Sequence, residues 1–443
     1  MDCRVLLVPD WVQWVTGTIA KSVVRFNPWL EATIISAQVV DALVRRRPLF
    51  FNQFQLVHFT CSYAPRKWLP VLREKLPCVT SHHHVSDWEL MKHNAEGDVV
   101  VVASRQWAED LALRGVPSNR IIRLPYGVDC EAFSPPTEIA KRQIRRKFTI
   151  RDQTIVIGFF AKRSSNEYDR KGIDVFAKAI AKLHQVLVDV AVIIVGPGWD
   201  DFVSNVRQGG LRCIYFPFLA SHADLVRMYR ALDFYWITSR IEGGPVPLLE
   251  AMSSEVCCVS TPVGLARDII RDCENAALVA IDDWNGFADR TIALARDPAL
   301  KAAIAREGRR TVLRTMDLGV VYPKIADVYT RAVTNFTERT GKSLKINIPA
   351  ARSLRVRPAP IKDVPLNGIP KPQRRFVRML ESLSWADALM SHGQRRQAYS
   401  LLIRQCALQP QNSVVWRALA RHLLPALVIS KLTKLKKAYS PSN

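Results

Sequence analysis

A chain of 443 residues, 48% hydrophobic and 23% charged, is long enough to bury the cores of two or three domains and too apolar to stay disordered. No run approaches the roughly 18–20 apolar residues that span a bilayer, and Met1-Asp2-Cys3-Arg4 leads straight into an apolar strand, unlike a signal peptide. The net charge of +23 is concentrated late: residues 331–443 hold 21 Lys/Arg against 4 Asp/Glu, or +17, which suits an anionic surface such as lipid headgroups, polyanionic glycan or nucleic acid.

Nine Cys without a C-x-x-C pair read as reduced, structural thiols of a cytosolic protein. Residues 1–150 alternate strand and helix. Strands are expected at 4–8, 33–36, 56–59, 78–80 and 99–103, and helices within 12–26 and at 37–46 and 68–76. That alternation predicts a parallel, Rossmann-like sheet, with ligands beyond the carboxyl ends of its strands. The crevice would then be lined by 10–17, 81–87 and Ser104. Ser81-His82-His83-His84 follows a predicted strand. Three consecutive His cannot face one metal from a regular element, and no Cys/Asp/Glu spacing accompanies them, so no metal site is expected. Plain loop histidine and an active-site role for His82 or His83 both remain open. Leu124-Pro125-Tyr126-Gly127-Val128-Asp129 reads as a turn. A linker and short basic helix at 135–150 close the first domain.

The pattern repeats over 151–320. Strands are expected at 154–160, 190–195, 212–216, 232–238 and 256–260, and helices at 172–187, 221–231 and 246–253. Lys162, Arg163, Arg170 and Lys171 lie between a strand and a helix start, where cations can hold a diphosphate. The stretch 241–250, IEGGPVPLLE, reads as a glycine turn feeding a helix with Pro245 in its first turn. Its free N–H groups suit a phosphate, and Gly243 and Gly244 admit a ligand close to the main chain. Glu242 lies in the turn and Glu250 about two turns along the helix, so the two acids can reach opposite ends of an extended ligand.

That stretch resembles the E-x7-E motif of retaining, GT-B-fold glycosyltransferases of the group 1 (family 4) type. The segment 124–129 is similar to the family's P-N-G-V-D, with Tyr126 in place of Asn. GFFAKRSSNEYDRKG (158–172) looks like the family's phosphate-holding segment, with Lys171-Gly172 matching its K-G pair. The resemblance covers about 4–335. It implies an α/β GT-B fold: an acceptor lobe at 1–150, a nucleotide-sugar lobe at 151–320 and a crossover helix at 321–340. It implies transfer of a sugar from a nucleotide-diphosphate sugar to an acceptor hydroxyl with retention, without metal or other cofactor. Glu242 and the amides of Gly243, Gly244 and Val246 would hold the sugar, and Glu250 the ribose. Gly196 belongs to the same donor side. Lys171 and Arg163 would neutralise the leaving diphosphate, and a His from the 82–83 pair would lie near the sugar. A glycan or lipid-linked acceptor in cell-surface glycan synthesis, on the cytosolic face, follows by analogy.

Residues 341–375 are basic and Pro-rich and read as a linker. Residues 376–443 read as helical, with 386–420 like a single tetratricopeptide-type helix pair that cannot bury its face alone. The end, 424–437, carries Lys431, Lys434, Lys436 and Lys437 and suggests a basic amphipathic helix. Peripheral membrane or protein contact through 340–443 is one hypothesis and a solvated face the other. Nucleic-acid binding is not expected, since no motif supports it. The rival reading of the whole chain is an inactive, glycosyltransferase-like adaptor that binds partners through its tail.

Overall fold

Runs such as Val99-Val100-Val101-Val102, buried at all four positions, need a sheet covered on both faces. The computed structural model describes residues 3–84, 88–187, 189–219, 221–350, 364–367, 369–409 and 411–423. In the first lobe β1 (Cys3–Val8) is followed by α1 (Val15–Arg25), β2 (Leu30–Ile34) and α2 (Ala37–Arg46). Then come β3 (Leu56–Phe59), β4 (Cys78–His82), β5 (Val99–Val102), α3 (Arg105–Leu113) and β6 (Ile121–Arg123). All strand pairs are parallel, in the order β2-β1-β3-β4-β5-β6. The chain changes direction across the sheet between β1 and β3, which places a ligand crevice at their carboxyl ends.

Helix α4 (Glu138–Lys147) is more than a linker. Its Arg145, 4% exposed, reaches Asp233 and the carbonyl of Ala231, which ties the helix to the second lobe. That lobe contains β7 (Ile155–Phe160), α5 (Ile173–Val186), β8 (Val190–Val195), β9 (Arg212–Phe216), α6 (His222–Ala231) and β10 (Phe234–Ile237). It continues through α7 (Val246–Ser253), β11 (Cys257–Ser260), α8 (Leu265–Ile269) and β12 (Ala277–Leu278). The strand order is β12-β11-β10-β7-β8-β9, with the switch point between β7 and β10.

The chain then returns to the first lobe. A 3-10 turn at Tyr322–Lys324, containing Pro323, leads into α9 (Ile325–Thr340). Ile325, Val328, Tyr329, Ala332 and Phe336 fall on one helical face and are buried. Tyr329 Oη lies 3.0 Å from His58 Nδ1, and Asn335 donates to Asp98 O at 2.8 Å.

The segment expected to be a plain linker is partly packed on this lobe. Ile34 N donates to Pro365 O at 2.9 Å, and Thr33 pairs with Leu366 in an antiparallel bridge along β2. β2 ends the sheet, so its free edge needs cover. Leu366 and Ile369 are each 4% exposed. Among the described residues the helical extension has three helices: α10 (Lys371–Ser391), α11 (Arg395–Leu408) and α12 (Ser413–Leu423). α10 sits on α2, where Glu381 accepts the Ser36 N–H at 2.8 Å. The basic end at 424–437 and part of the linker, 351–363, lie outside the described residues. Among the described residues no helix is long and apolar enough to cross a membrane. All nine cysteines are free, and Cys273 alone is exposed.

Candidate active site

The second-lobe switch point gathers the charges that the sequence singled out. Gly172 caps α5 with φ 58°, and a Cβ there would lie 2.0 Å from Thr238 O. Glycine is therefore required where α5 meets the end of β10. Thr238 Oγ1 lies 2.9 Å from the carbonyls of both Lys171 and Gly172. This pins Lys171 beside the turn after β10, where its ammonium pairs with Glu242 Oε1. Arg170 Nη1 lies 3.2 Å from Glu242 Oε2, and Ser239 Oγ donates to Oε1 at 2.9 Å. Glu242 is 7% exposed. Burial alone would raise its pKa, but Lys171, Arg170 and these hydrogen bonds bring it down to about 2. It is thus ionised at neutral pH and cannot act as a general acid.

α7 starts at Val246, so Glu250 stands about one turn into the helix instead of two. Tyr229 Oη donates to Glu250 Oε2 at 2.7 Å. Desolvation lifts the Glu250 carboxyl to about 7, with the Tyr229 bond opposing. Phe160 packs on Tyr229 with ring centroids 4.7 Å apart, which gives this acid an aromatic floor. The N–H groups of Gly243, Gly244 and Val246 donate to no protein acceptor among the described residues. They lie at a helix start, where the dipole also favours an anion.

The first lobe closes against this turn. A Cβ on Gly243 would fall 1.7 Å from His83 O, and one on Gly244 2.8 Å from the Tyr126 ring. His83 Nε2 donates to Thr60 O at 2.8 Å, so its Nδ1 accepts from the Tyr126 hydroxyl. Trp107 Nε1 donates to Glu242 O at 2.7 Å, and Arg105 N to Asp268 at 2.7 Å. Both lobes therefore hold the Glu242 turn.

The histidines separate. His83 lies in the crevice. His82 is 1% exposed and packs beside Trp107, with Nε2 unpartnered among the described residues. Burial lowers its pKa to about 4, and it is a core residue here. His84, which the sequence did not favour, faces the charges. Burial first, then Arg170, lowers it to about 4, while Glu242 opposes. Arg163 is not brought to Glu242: its guanidinium pairs with Asp201 and donates to Gly198 O at 3.0 Å. Arg170 takes that place, because a helical turn at Ser165–Tyr168 carries the chain back beneath Thr238. The sequence contained Arg170, but spacing alone could not rank it above Arg163. Gly196, with φ 128°, serves close loop packing: a Cβ would lie 2.3 Å from Ala161 O.

Residues 154–297 match the family model described as Glycosyl transferases group 1. The chain is similar to the putative glycosyltransferase EpsD of Bacillus subtilis (strain 168), with 26% identity over 208 residues, 46% of this chain and 52% of that protein. It is similar to the lipopolysaccharide core biosynthesis mannosyltransferase LpsB of Rhizobium meliloti (strain 1021), with 27% identity over 224 residues, 48% of this chain and 60% of that protein. The phosphatidyl-myo-inositol mannosyltransferase of Mycobacterium leprae (strain TN) is 28% identical over 332 residues, 72% of this chain and 81% of that protein. The chain thus spans little more than half the length of the first two relatives. Among solved structures, Anabaena Alr3699/HepE in complex with UDP aligns with a TM-score of 0.62 at 16% identity, over 74% of this chain and 99% of that one. At that identity the likeness shows the fold, two Rossmann-like lobes of GT-B type, as the sequence led one to expect.

Proposed function

We propose that the chain is a retaining, metal-independent glycosyltransferase that moves a sugar from a nucleotide-diphosphate sugar to an acceptor hydroxyl. The observation that carries this reading is Glu242 buried between Lys171 and Arg170 at the switch point, beside three undonated amides, with Glu250 one turn into the helix that follows. The two cations exceed the one carboxylate by a unit of charge, so the site attracts an anion. A diphosphate on Lys171 and Arg170 would leave Glu242 and the Gly243–Gly244 amides facing the sugar. Glu250 would accept the ribose hydroxyls, which favours its charged form.

In the reaction the bond between the anomeric carbon and the diphosphate oxygen breaks, its electron pair leaving with the diphosphate. The acceptor oxygen bonds the same carbon on the same face, and its proton passes to the departing diphosphate. Lys171 and Arg170 stabilise the charge that develops there. Relatives whose names specify lipopolysaccharide core and phosphatidyl-inositol substrates support a glycan or lipid-linked acceptor. A cytosolic site with peripheral membrane contact through 340–443 suits such an acceptor. The adaptor reading has no observation in its favour.

The test is thermal stabilisation by UDP, GDP, ADP and their sugars, with Lys171→Ala and Glu250→Ala alongside. One nucleotide class should raise Tm, and both variants should lose the shift. No shift with any nucleotide, from a folded protein, overturns the reading. Turnover in excess chelator and the anomeric configuration of the product check metal independence and retention.

A further inference from the structure

The mouth of the cleft has a third wall. The junction of α10 and α11, residues 391–397, faces the second-lobe loops that follow β7, β8 and β9 across a cavity of about 790 Å³. That volume falls within the usual range for small-molecule sites, roughly 300–1,000 Å³. Lys162, Arg163, Pro197 and Tyr215 line one side, and Arg395 and Arg396 the other. The wall is anchored to the first lobe. Trp385 packs 6.0 Å from Trp14, and His392 5.6 Å from Trp14 and 6.5 Å from Trp11. His392 Nδ1 also donates to Ala388 O at 2.6 Å, which fixes the turn. The extension therefore bridges from the loop after β1 to the donor-side loops.

The charge of this cavity is one-sided. Among the described residues Lys162, Arg395 and Arg396 form no ion pair. Arg163 is paired with Asp201, yet its Nε is buried without a hydrogen-bond partner. Asp200 is the carboxylate on the lining. Cations facing one another across open space repel, and a bound anion relieves that repulsion. Paired guanidinium groups suit phosphate in particular.

We infer that this cavity binds a phosphate-bearing ligand, with Arg395 and Arg396 of the extension contacting its anionic group opposite Lys162. The phosphate belongs either to a nucleotide diphosphate or to a phosphorylated acceptor. Where the phosphate is a nucleotide's, the inference rests on the transfer reading and adds two arginines of the extension to that site; where it is an acceptor's, it goes beyond that reading.

The experiment is calorimetric titration of the full chain with inorganic pyrophosphate, then with UDP and GDP. Arg395→Glu/Arg396→Glu and Lys162→Glu should each weaken pyrophosphate at least about tenfold, the loss of one charge-assisted hydrogen bond. A charge-matched control, Arg314→Glu/Arg404→Glu, changes two exposed residues away from the cavity and should leave the affinity unchanged. A parallel loss of nucleotide affinity assigns the phosphate to the nucleotide. Unchanged nucleotide affinity with weakened pyrophosphate assigns it to the acceptor. No pyrophosphate binding, or binding that only Lys171→Ala weakens, overturns the inference and leaves the transfer reading standing. Pyrophosphate binding that depends on Arg395 and Arg396 in a protein that no nucleotide stabilises would sink the transfer reading alone.

Discussion

Glu242 and Glu250 show how one residue type takes two charge states within one short stretch of chain. Glu242 is held near 2 by Lys171 and Arg170, whereas burial lifts Glu250 to about 7 against the opposing Tyr229 hydrogen bond. Their effects on stability have opposite signs. Glu242, depressed from 4.5, contributes stability above that value and loses it as pH falls toward 2. Glu250, raised from 4.5, contributes fully below 4.5 and loses that contribution as pH rises through about 7. The difference in Tm between the wild type and Glu250→Gln, followed by calorimetry from pH 4.5 to 7.5, should therefore shift against the wild type as pH rises. A flat difference would count against the raised pKa. Glu242→Gln removes the charge that holds both cations and should cut turnover roughly 100-fold or more while the protein stays folded. These residues were legible in the sequence because E-x7-E, a glycine turn and a helix start are local. The pairing of Arg170 with Glu242 and the place of His84 were not, since they depend on where a loop folds back and which lobe faces it.

At the scale of elements, the helices and strands follow from periodicity. The expected bounds 37–46 and 246–253 coincide with α2 and α7, whose buried faces are written in their own sequences. Pro323 marks the bend before α9 for an equally local reason. The extension was harder to place. The described helices share a small core of their own, with Met379, Leu383, Leu402 and Val415 buried, but nothing in 371–423 says which surface that bundle docks on. The partner is α2, through Phe376 beside Arg46 at 4.5 Å and Glu381 on the Ser36 N–H. Glu381→Ala leaves that N–H unpaired, a cost of about 1–3 kcal/mol. Hydrogen exchange should then speed up across α10–α12 and stay unchanged in β3–β5. Equal protection in both proteins would show that the docking does not depend on this bond.

At the scale of the molecule, the working unit is the contact between lobes. Gly243 lies so close to His83 O that a single methyl group cannot fit, with 1.7 Å available. Gly243→Ala should therefore hold the lobes apart. X-ray scattering should give a larger radius of gyration, with each lobe still folded and turnover lost. An unchanged radius would mean that closure bends around the extra atom. Trp107 and Arg105 join the same interface through Glu242 O and Asp268. The sequence by itself determined the two α/β lobes, the switch-point loops and the acids of the glutamate turn. Those depend on hydrophobic period, glycine and helix-start chemistry within a few residues. Only the tertiary structure decided that Arg170 and not Arg163 joins Lys171, that His82 is core while His83 and His84 meet the second lobe, and that the C-terminal extension walls the cleft. The pairing of Arg170 with Glu242 joins residues 72 positions apart, and Trp14 meets Trp385 of the extension across 371. Such contacts exist only once separate elements have packed.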